Sequence, residues 1–423
     1  FGCQIHCNQF SPLPRHKGSD ICEQLFRSVQ KVIVIGDPVP DTLNFKDLVS
    51  VKKGHFPAVE VDTRQDVCLL PYSSGTSGLP KGVMLTHHNI VTNMCQYTAP
   101  GFSSLKEATD DFQERIVMII PMYHIYGFMV AMFTLRKGSA VTLLPKFVPE
   151  NFFKILSDIK PTKLYLVPPV VQMLTITPDV NKLYLEQTHT IISGGAPLGA
   201  VTKAAFKKNV GRDIAISEGY GLTETSPLVC KSYNGVSKEG SINVCIPNTL
   251  LKIVHQETGE TLGPNIKGEL AVKGPQVMKG YWKNQKATEE VIDSEGWFKT
   301  GDVAYFDDDG FFFIVDRMKE LIKVKGLQVA PAELENVIRE HPMVMDVGVT
   351  SVEDDKAGEL PRAYVVKKDP NLTEEMVQQF VESKVARHKH LKGGVVFVES
   401  IPKVPSGKIL RRILKEMARK PTP

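Results

Sequence analysis

Ten consecutive residues, Ser73, Ser74, Gly75, Thr76, Ser77, Gly78, Leu79, Pro80, Lys81 and Gly82, combine four hydroxyls, three glycines and one lysine. That set suits a loop that grips phosphate. Glycine lets backbone N–H groups approach phosphate oxygens, hydroxyls donate further hydrogen bonds, and a lysine supplies a point charge. Taken alone, the composition also describes a surface Gly/Ser turn. The triphosphatase loop ends in Gly-Lys-Ser/Thr, whereas here Pro80 precedes Lys81 and Gly82 follows it, which removes the kinase and GTPase readings. Other residues with chemical potential stand farther along. Singly, Thr223-Glu224 and Gly301-Asp302 read as a cap or a turn, Lys81 and Lys408 as solvated lysines, and His124 as a core histidine.

The elements that must position these groups alternate. Residues 67–71 read as a strand leaving a core and feeding the loop, and Thr86, His87, His88 and Asn89 read as the cap of a helix. Residues 32–37 read as a buried strand. Residues 115–120, 140–144, 163–167, 190–192 and 213–216 read as further strands, with helices at 149–159, 169–174 and about 197–208. Such alternation predicts an α/β domain with largely parallel sheets, whose ligand loops lie at the carboxyl ends of the strands. From about residue 250 short runs between turn signals predict a strand-rich subdomain. Residues 307–310 carry part of a calcium-loop pattern without its remaining ligands and read as a hairpin turn. Beyond Asp316-Arg317 a smaller domain begins, with a helix at 331–341, apolar runs at 344–349 and 363–366, and a helix from Thr373. The expected division is 1–316 and 317–423, with a hinge near 316–319.

Composition narrows the function. The 423 residues are 42% hydrophobic and 23% charged, values of a folded chain, and a net charge of +4 with scattered basic residues makes nucleic acid a poor partner. Seven irregularly spaced cysteines favour free thiols in a reducing, cytoplasmic-type compartment. Cys3, Cys7, His16 and Cys22 can be drawn as a zinc site, but no Cys-x-x-Cys knuckle supports it. Residues 116–135 hold no charged side chain, which imitates a membrane span; Pro121, His124 and Gly127 instead predict a buried strand, a turn and a buried helix. Neither a secretory leader nor a Ser-Lys-Leu type ending is expected, and no motif specifies an oligomeric state.

Six motifs taken together resemble the adenylate-forming superfamily of acyl-CoA synthetases, 4-coumarate–CoA ligases and beetle luciferases. They are the loop at 73–82, Ser193-Gly194-Gly195-Ala196-Pro197-Leu198, Tyr220-Gly221-Leu222-Thr223-Glu224-Thr225, and Gly296-Trp297-Phe298-Lys299-Thr300-Gly301-Asp302. The remaining two are the hinge pattern, Asp316-Arg317-Met318-Lys319 through Lys323-Val324-Lys325-Gly326, and Pro402-Lys403-Val404-Pro405-Ser406-Gly407-Lys408. Their order and spread from Ser73 to Lys408 make the match specific. The resemblance implies a large N-terminal α/β domain with a strand-rich subdomain, plus a small mobile C-terminal α+β domain. It also implies that the chain lacks an N-terminal part of the large domain.

The implied reaction has two halves. A carboxylate attacks the α-phosphate of ATP to give an acyl-adenylate and pyrophosphate, and coenzyme A then displaces AMP. By the resemblance, Ser73, Ser74, Thr76 and Ser77 with Gly75 and Gly78 hold the β- and γ-phosphates, and Lys81 stands at the end of that loop. Thr223 bonds the α-phosphate, Glu224 ligates Mg²⁺, Asp302 accepts the ribose hydroxyls, and Arg317 adds a ribose contact. Gly194, Gly195, Ala196, Tyr220 and Gly221 line the adenine side, and Lys325 and Gly326 belong to the hinge motif's cofactor contacts. His124, Glu218 and Gly219 face the acid, with Glu218 standing where ligases and luciferases commonly have Gln. Lys408 serves adenylation and Lys323 lies on the face presented for thioester formation, the small domain rotating between the two. A luciferase-like oxygenase shares every motif, and a truncated, non-catalytic nucleotide-binding protein is the remaining alternative.

Overall fold

The computed structural model describes residues 33–34, 37, 40, 42–50, 58–73, 80–404 and 407–419. Phe1–Val61 and Asp62–Pro423 form two compact units. In the first, strands Ile33–Val34 and Leu43–Asn44 pair in parallel, and helix Phe45–Ser50 follows with no buried residue. The buried strand expected at 32–37 is therefore corrected: Ile33 is exposed and Val34 half-buried, because among the described residues no layer packs on this two-strand pair. The cysteines and histidine of the drawn zinc site lie outside the described residues.

The second unit is built on a seven-stranded sheet. Its order is Val244–Cys245, Leu228–Lys231, Ala215–Gly221, Thr190–Ser193, Lys163–Leu166, Arg115–Met118 and Ala140–Leu143, the last five being parallel. Alternation splits the sheet's side chains between two cores. Val117, Leu164, Leu166 and Ile191 pack with helices Pro149–Ile159, Pro168–Ile176 and Ala200–Val210 through Phe152, Leu156, Leu174 and Phe206. Ile116, Met118, Tyr165 and Ile192 face the other way, toward helices His87–Tyr97 and Ile125–Arg136. Burying a Leu, Ile or Phe in such a layer contributes about 1.5–3 kcal/mol. Both faces being covered, Lys163–Leu166 and Thr190–Ser193 are buried throughout and read as unbroken runs.

Local chemistry sets the helix starts. Thr86 caps helix His87–Tyr97 by accepting from the Asn89 N–H, and Asn89 Oδ1 returns a bond to the Thr86 N–H. The uncharged window resolves into strand Arg115–Met118 and helix Ile125–Arg136. Among the described residues no helix is long and apolar enough to cross a membrane.

A five-stranded antiparallel sheet carries the strand-rich region, in the order Thr261–Leu262, Leu250–Val254, Gly268–Lys273, Phe298–Phe306, Phe312–Arg317. Strand Phe298–Phe306 is not legible as a strand in sequence, since Gly301 and Asp302 interrupt it. Ala271 pairs with Lys299 and Glu269 with Val303, so Thr300, Gly301 and Asp302 form a bulge. Asp307 closes the following hairpin by accepting from the Asp309 and Phe311 N–H groups, the turn role expected of it. Strand Lys81–Thr86 lies between Gly280–Tyr281 and Val67–Leu69 in a further sheet. Val67 and Cys68 are exposed, which corrects the core strand expected there; among the described residues the segment is an edge paired on one side.

The C-terminal region has cores of its own. Hairpin strands Val344–Asp354 and Gly358–Lys367 bury Val347, Val349, Ala363 and Val365 against Leu334 and Ile338 of helix Pro331–Arg339 and Val377 and Val381 of helix Glu374–Glu382. Helix Arg411–Arg419 went unread because Leu414 is its one buried residue, too little for a period.

Candidate functional site

A cavity of about 750 Å³ opens at the carboxyl ends of the parallel strands. Ser73, Lys81, His124, Gly194, Gly195, Gly219, Tyr220, Gly221, Thr223, Glu224, Arg317 and Lys408 all line it. These residues come from six segments that no local pattern joins. Ser74, Gly75, Thr76, Ser77 and Gly78 lie outside the described residues, between Ser73 and Lys81, which pair directly across adjacent strands.

The bulge aims Asp302 at a small buried network. Its Oδ2 accepts from the Tyr220 hydroxyl at 2.5 Å and its Oδ1 from Arg317 Nε at 3.0 Å, and the carboxylate is 3% exposed. Burial pushes the Asp302 carboxyl above its ordinary range, while Arg317, the Tyr220 hydroxyl and the Lys408 ammonium pull the other way. Asp302 thus stands one layer behind the cavity wall, holding Tyr220 and Arg317 that form it. The bulge itself is pinned: Thr300 Oγ1 donates to the Leu270 carbonyl at 2.8 Å, and the Gly301 N–H donates to Glu269 at 3.1 Å.

Glu224 sits on the opposite wall. Its Oε1 accepts from the Tyr281 hydroxyl at 2.9 Å, and Lys81 Nζ lies 4.8 Å from the centre of the Tyr281 ring. Tyr281 therefore links the lysine of the glycine-rich loop to the acidic residue, a role its Gly-Tyr-Trp surroundings did not announce. No group of three or more His, Cys, Asp or Glu suited to a metal occurs among the described residues. One carboxylate edge facing a cavity fits Mg²⁺ held jointly with phosphate oxygens, the way this hard, reluctantly dehydrated ion is usually bound.

His124 is placed by its own helix. It is the N-cap of Ile125–Arg136, its Nδ1 accepting from the Tyr126 N–H at 3.2 Å, and burial lowers its pKa. A neutral ring with Nδ1 as acceptor carries its proton on Nε2. Across from it, the Tyr126 ring closes on Gly194, where an added Cβ would meet ring carbons at 3.2 and 3.3 Å.

Lys408 enters from the C-terminal region. Gly407 has φ +83°, and a Cβ there would meet Pro169 Cδ at 2.8 Å, so the lysine loop seats closely on the start of helix Pro168–Ile176. Burial and the Arg317 charge lower the Lys408 pKa, opposed by Glu320 and Asp302. Behind it, Arg411 Nε bonds Glu320 Oε2 at 2.6 Å, its guanidinium also bonds Glu335, and Asp316 accepts from the Ala332 N–H at 2.8 Å.

Other expected residues are not gathered here. Lys323 lies within strand Ile322–Val324, Lys325 and Gly326 form its turn to Leu327–Val329, and none of the three lines the cavity. Neither does Ala196. Glu218, expected to face the acid, does not line the cavity either: its carboxylate accepts from the Leu198 N–H at 3.0 Å and pairs with Lys203, which turn it away.

A family model described as AMP-binding enzyme matches residues 8–282, and one described as AMP-binding enzyme C-terminal domain matches residues 333–408. The chain is 41% identical over 399 residues to a probable 4-coumarate–CoA ligase 1 of Dictyostelium discoideum, covering 94% of this chain and 71% of that one. It is 42% identical over 374 residues to a luciferin 4-monooxygenase of Nipponoluciola cruciata, covering 86% of this chain and 66% of the other. Among solved structures, ATP-bound MatB from Rhodopseudomonas palustris superposes with a TM-score of 0.77 at 29% identity, covering 86% of this chain and 70% of that one. With sequence, family match and fold in agreement, the chain belongs to the AMP-binding enzymes of the adenylate-forming superfamily.

Proposed function

We propose that the protein is an AMP-forming acid–CoA ligase, which converts a carboxylic acid and ATP to an acyl-adenylate and pyrophosphate and then transfers the acyl group to coenzyme A. The observation that carries this is the meeting of Arg317, Lys408, Thr223 and Glu224 on one cavity. A carboxylate nucleophile must approach an anionic phosphate, so the catalyst has to cancel charge and hold the two groups in line. Arg317 and Lys408 supply fixed positive charge, and the His124 Nε2–H supplies a neutral donor toward the carboxylate. Thr223 would bond the α-phosphate, and Ser73 and Lys81 would bracket the loop over the outer phosphates. Glu224 would hold Mg²⁺, which neutralises phosphate charge when bound. Tyr220 and Arg317, braced by Asp302, would order the nucleoside. Lys323, Lys325 and Gly326 would serve the second half-reaction, for which the region beyond a hinge near 316–319 would turn. The domains would then be 1–316 and 317–423.

The relatives' names favour an acid of 4-coumarate type, with a fatty acid as the other class within the reading, and a cytoplasmic, reducing compartment is part of the same reading. The test is acid-dependent exchange of pyrophosphate into ATP, followed by CoA-dependent release of AMP. Exchange without CoA-dependent turnover, accompanied by oxygen consumption, would instead favour the luciferase-like reading that the firefly relative raises. No exchange with any acid would reject both.

A further inference from the structure

The far end of the cavity holds a charge that the adenylation machinery does not use. Lys231 lines the cavity and is 3% exposed. Its Nζ donates to the Phe102 carbonyl and lies 4.5 Å from the centre of the Tyr97 ring. Among the described residues no carboxylate is within ion-pair distance of it. An ammonium has three donors, so a single carbonyl leaves it undersatisfied in a place where unpaired charge is costly.

Its neighbours do not repair this. Asn93 is occupied by the Leu228 backbone and Gln96, the Tyr97 and Tyr165 hydroxyls bond each other at 2.8 Å, and Phe133 stacks on Tyr97. Behind this wall a second lysine, Lys163, is fully buried and donates to Ser104 at 2.8 Å. The nearby Glu114 carboxylate is taken by Thr162 and His189. Burial would raise Glu114, but its hydrogen bonds from His189 and Thr162 and the Lys163 charge hold it at about 2. Burial brings Lys231 down to about 8, and brings Lys163 to about 7 with the Lys231 charge adding to the effect. The one carboxylate nearby is thus engaged away from Lys231, which is the amine that the cavity floor presents.

Depth follows from strand register. Leu228 pairs with Gly221 at the nucleotide end, whereas Lys231 pairs with Gly219. Three residues of strand separate Lys231 from Leu228, about 10 Å. An acid whose carboxyl lies beside His124 and Thr223 would direct its tail toward Lys231.

Resting on the ligase reading above, we infer that Lys231 is a specificity-determining residue that selects acids bearing a hydrogen-bond-accepting group, preferentially an anion, at the end remote from the reacting carboxyl. Such a tail supplies the missing partner, whereas a methyl-ended tail leaves the ammonium buried and unanswered.

The test compares kcat/KM for matched acids: 4-carboxycinnamate against 4-methylcinnamate, and a linear α,ω-dicarboxylate against its methyl-ended counterpart. Wild type is expected to favour the accepting tail by about tenfold to a hundredfold, the range of a hydrogen bond to a charged group. Lys231→Met, similar in length and uncharged, is expected to abolish or invert the ratio. A wild-type ratio near one in both series, or a ratio unchanged in Lys231→Met, overturns the inference even if Lys231 still braces the Phe102 loop. The wild-type ratio stands as a test should the variant not fold. No pyrophosphate exchange with any of the four acids is the separate result that removes the ligase reading itself.

Discussion

Replacing Lys408 by Ala isolates one half of the reaction. The ammonium reaches the cavity on a loop seated against Pro169, beside Arg317 and Asp302. A full unit charge at about 4 Å from another is worth ~4 kcal/mol at an effective dielectric near 20. Only part of a charge develops on the α-phosphoryl oxygens in the transition state, so the electrostatic share is roughly half of that. With its hydrogen bond, the loss approaches the about 2.7–4 kcal/mol found on removing one preorganised donor, or ~10²–10³ in rate. No ion pair within 4.0 Å involves Lys408 among the described residues, so the fold should hardly notice its removal. The assay is pyrophosphate exchange with ATP and a cognate acid, alongside single-turnover thioester formation from chemically made acyl-adenylate. Exchange is expected to fall ~10²–10³-fold, while thioester formation, for which the proposed reading turns Lys408 away from the cavity, changes by less than about threefold. Exchange at the wild-type rate, or an equal loss in both halves, would refute the reasoning.

Three further outcomes follow from the same region. Gly407→Ala places a Cβ 2.8 Å from Pro169 at a backbone with φ +83°, so exchange should drop about tenfold or more while thioester formation from adenylate is retained; an unchanged exchange rate would remove the seated-loop geometry. Arg411→Ala strands Glu335 and Glu320 around a largely buried site, and urea unfolding should report a loss of about 3–5 kcal/mol; a loss under about 1 kcal/mol would show the network to be dispensable. Burial raises Asp316 from 3.8 to about 6 against the pull of Arg411. Its folded state keeps a proton the unfolded chain has released, so its contribution to stability is full below about 4 and is lost as pH rises through about 6. The stability difference between wild type and Asp316→Asn should therefore move against wild type by about 2–3 kcal/mol across that window, and a pH-independent difference would contradict it.

Much of the site was written in local chemistry. The order of motifs, the capping of helix His87–Tyr97 by Thr86, and the strand-turn-helix at 115–136 follow from residue types a few positions apart. Backbone propensity and side-chain capping act over that range, so sequence carries them. Where the pattern failed, a long-range partner had decided. Strand Phe298–Phe306 exists because Gly268–Lys273 and Phe312–Arg317 flank it, and its bulge turns an apparent stop signal into the mount for Asp302. Glu218 stands beside lining residues in the sequence, yet Lys203 and the Leu198 N–H, brought by another segment, hold its carboxylate.

By itself, then, the sequence determined the superfamily, because its motifs are short loops of characteristic composition that local chemistry spells out. Only the tertiary structure decided which lysine faces the cavity, Lys408 and not Lys323, and that Tyr281 joins Lys81 to Glu224. It also decided that Lys231 lies at the cavity's floor with no carboxylate in ion-pair distance among the described residues. Burial and the distance between charges depend on what other segments bring, and Lys231 meets Phe102 and Tyr97 from more than a hundred positions away.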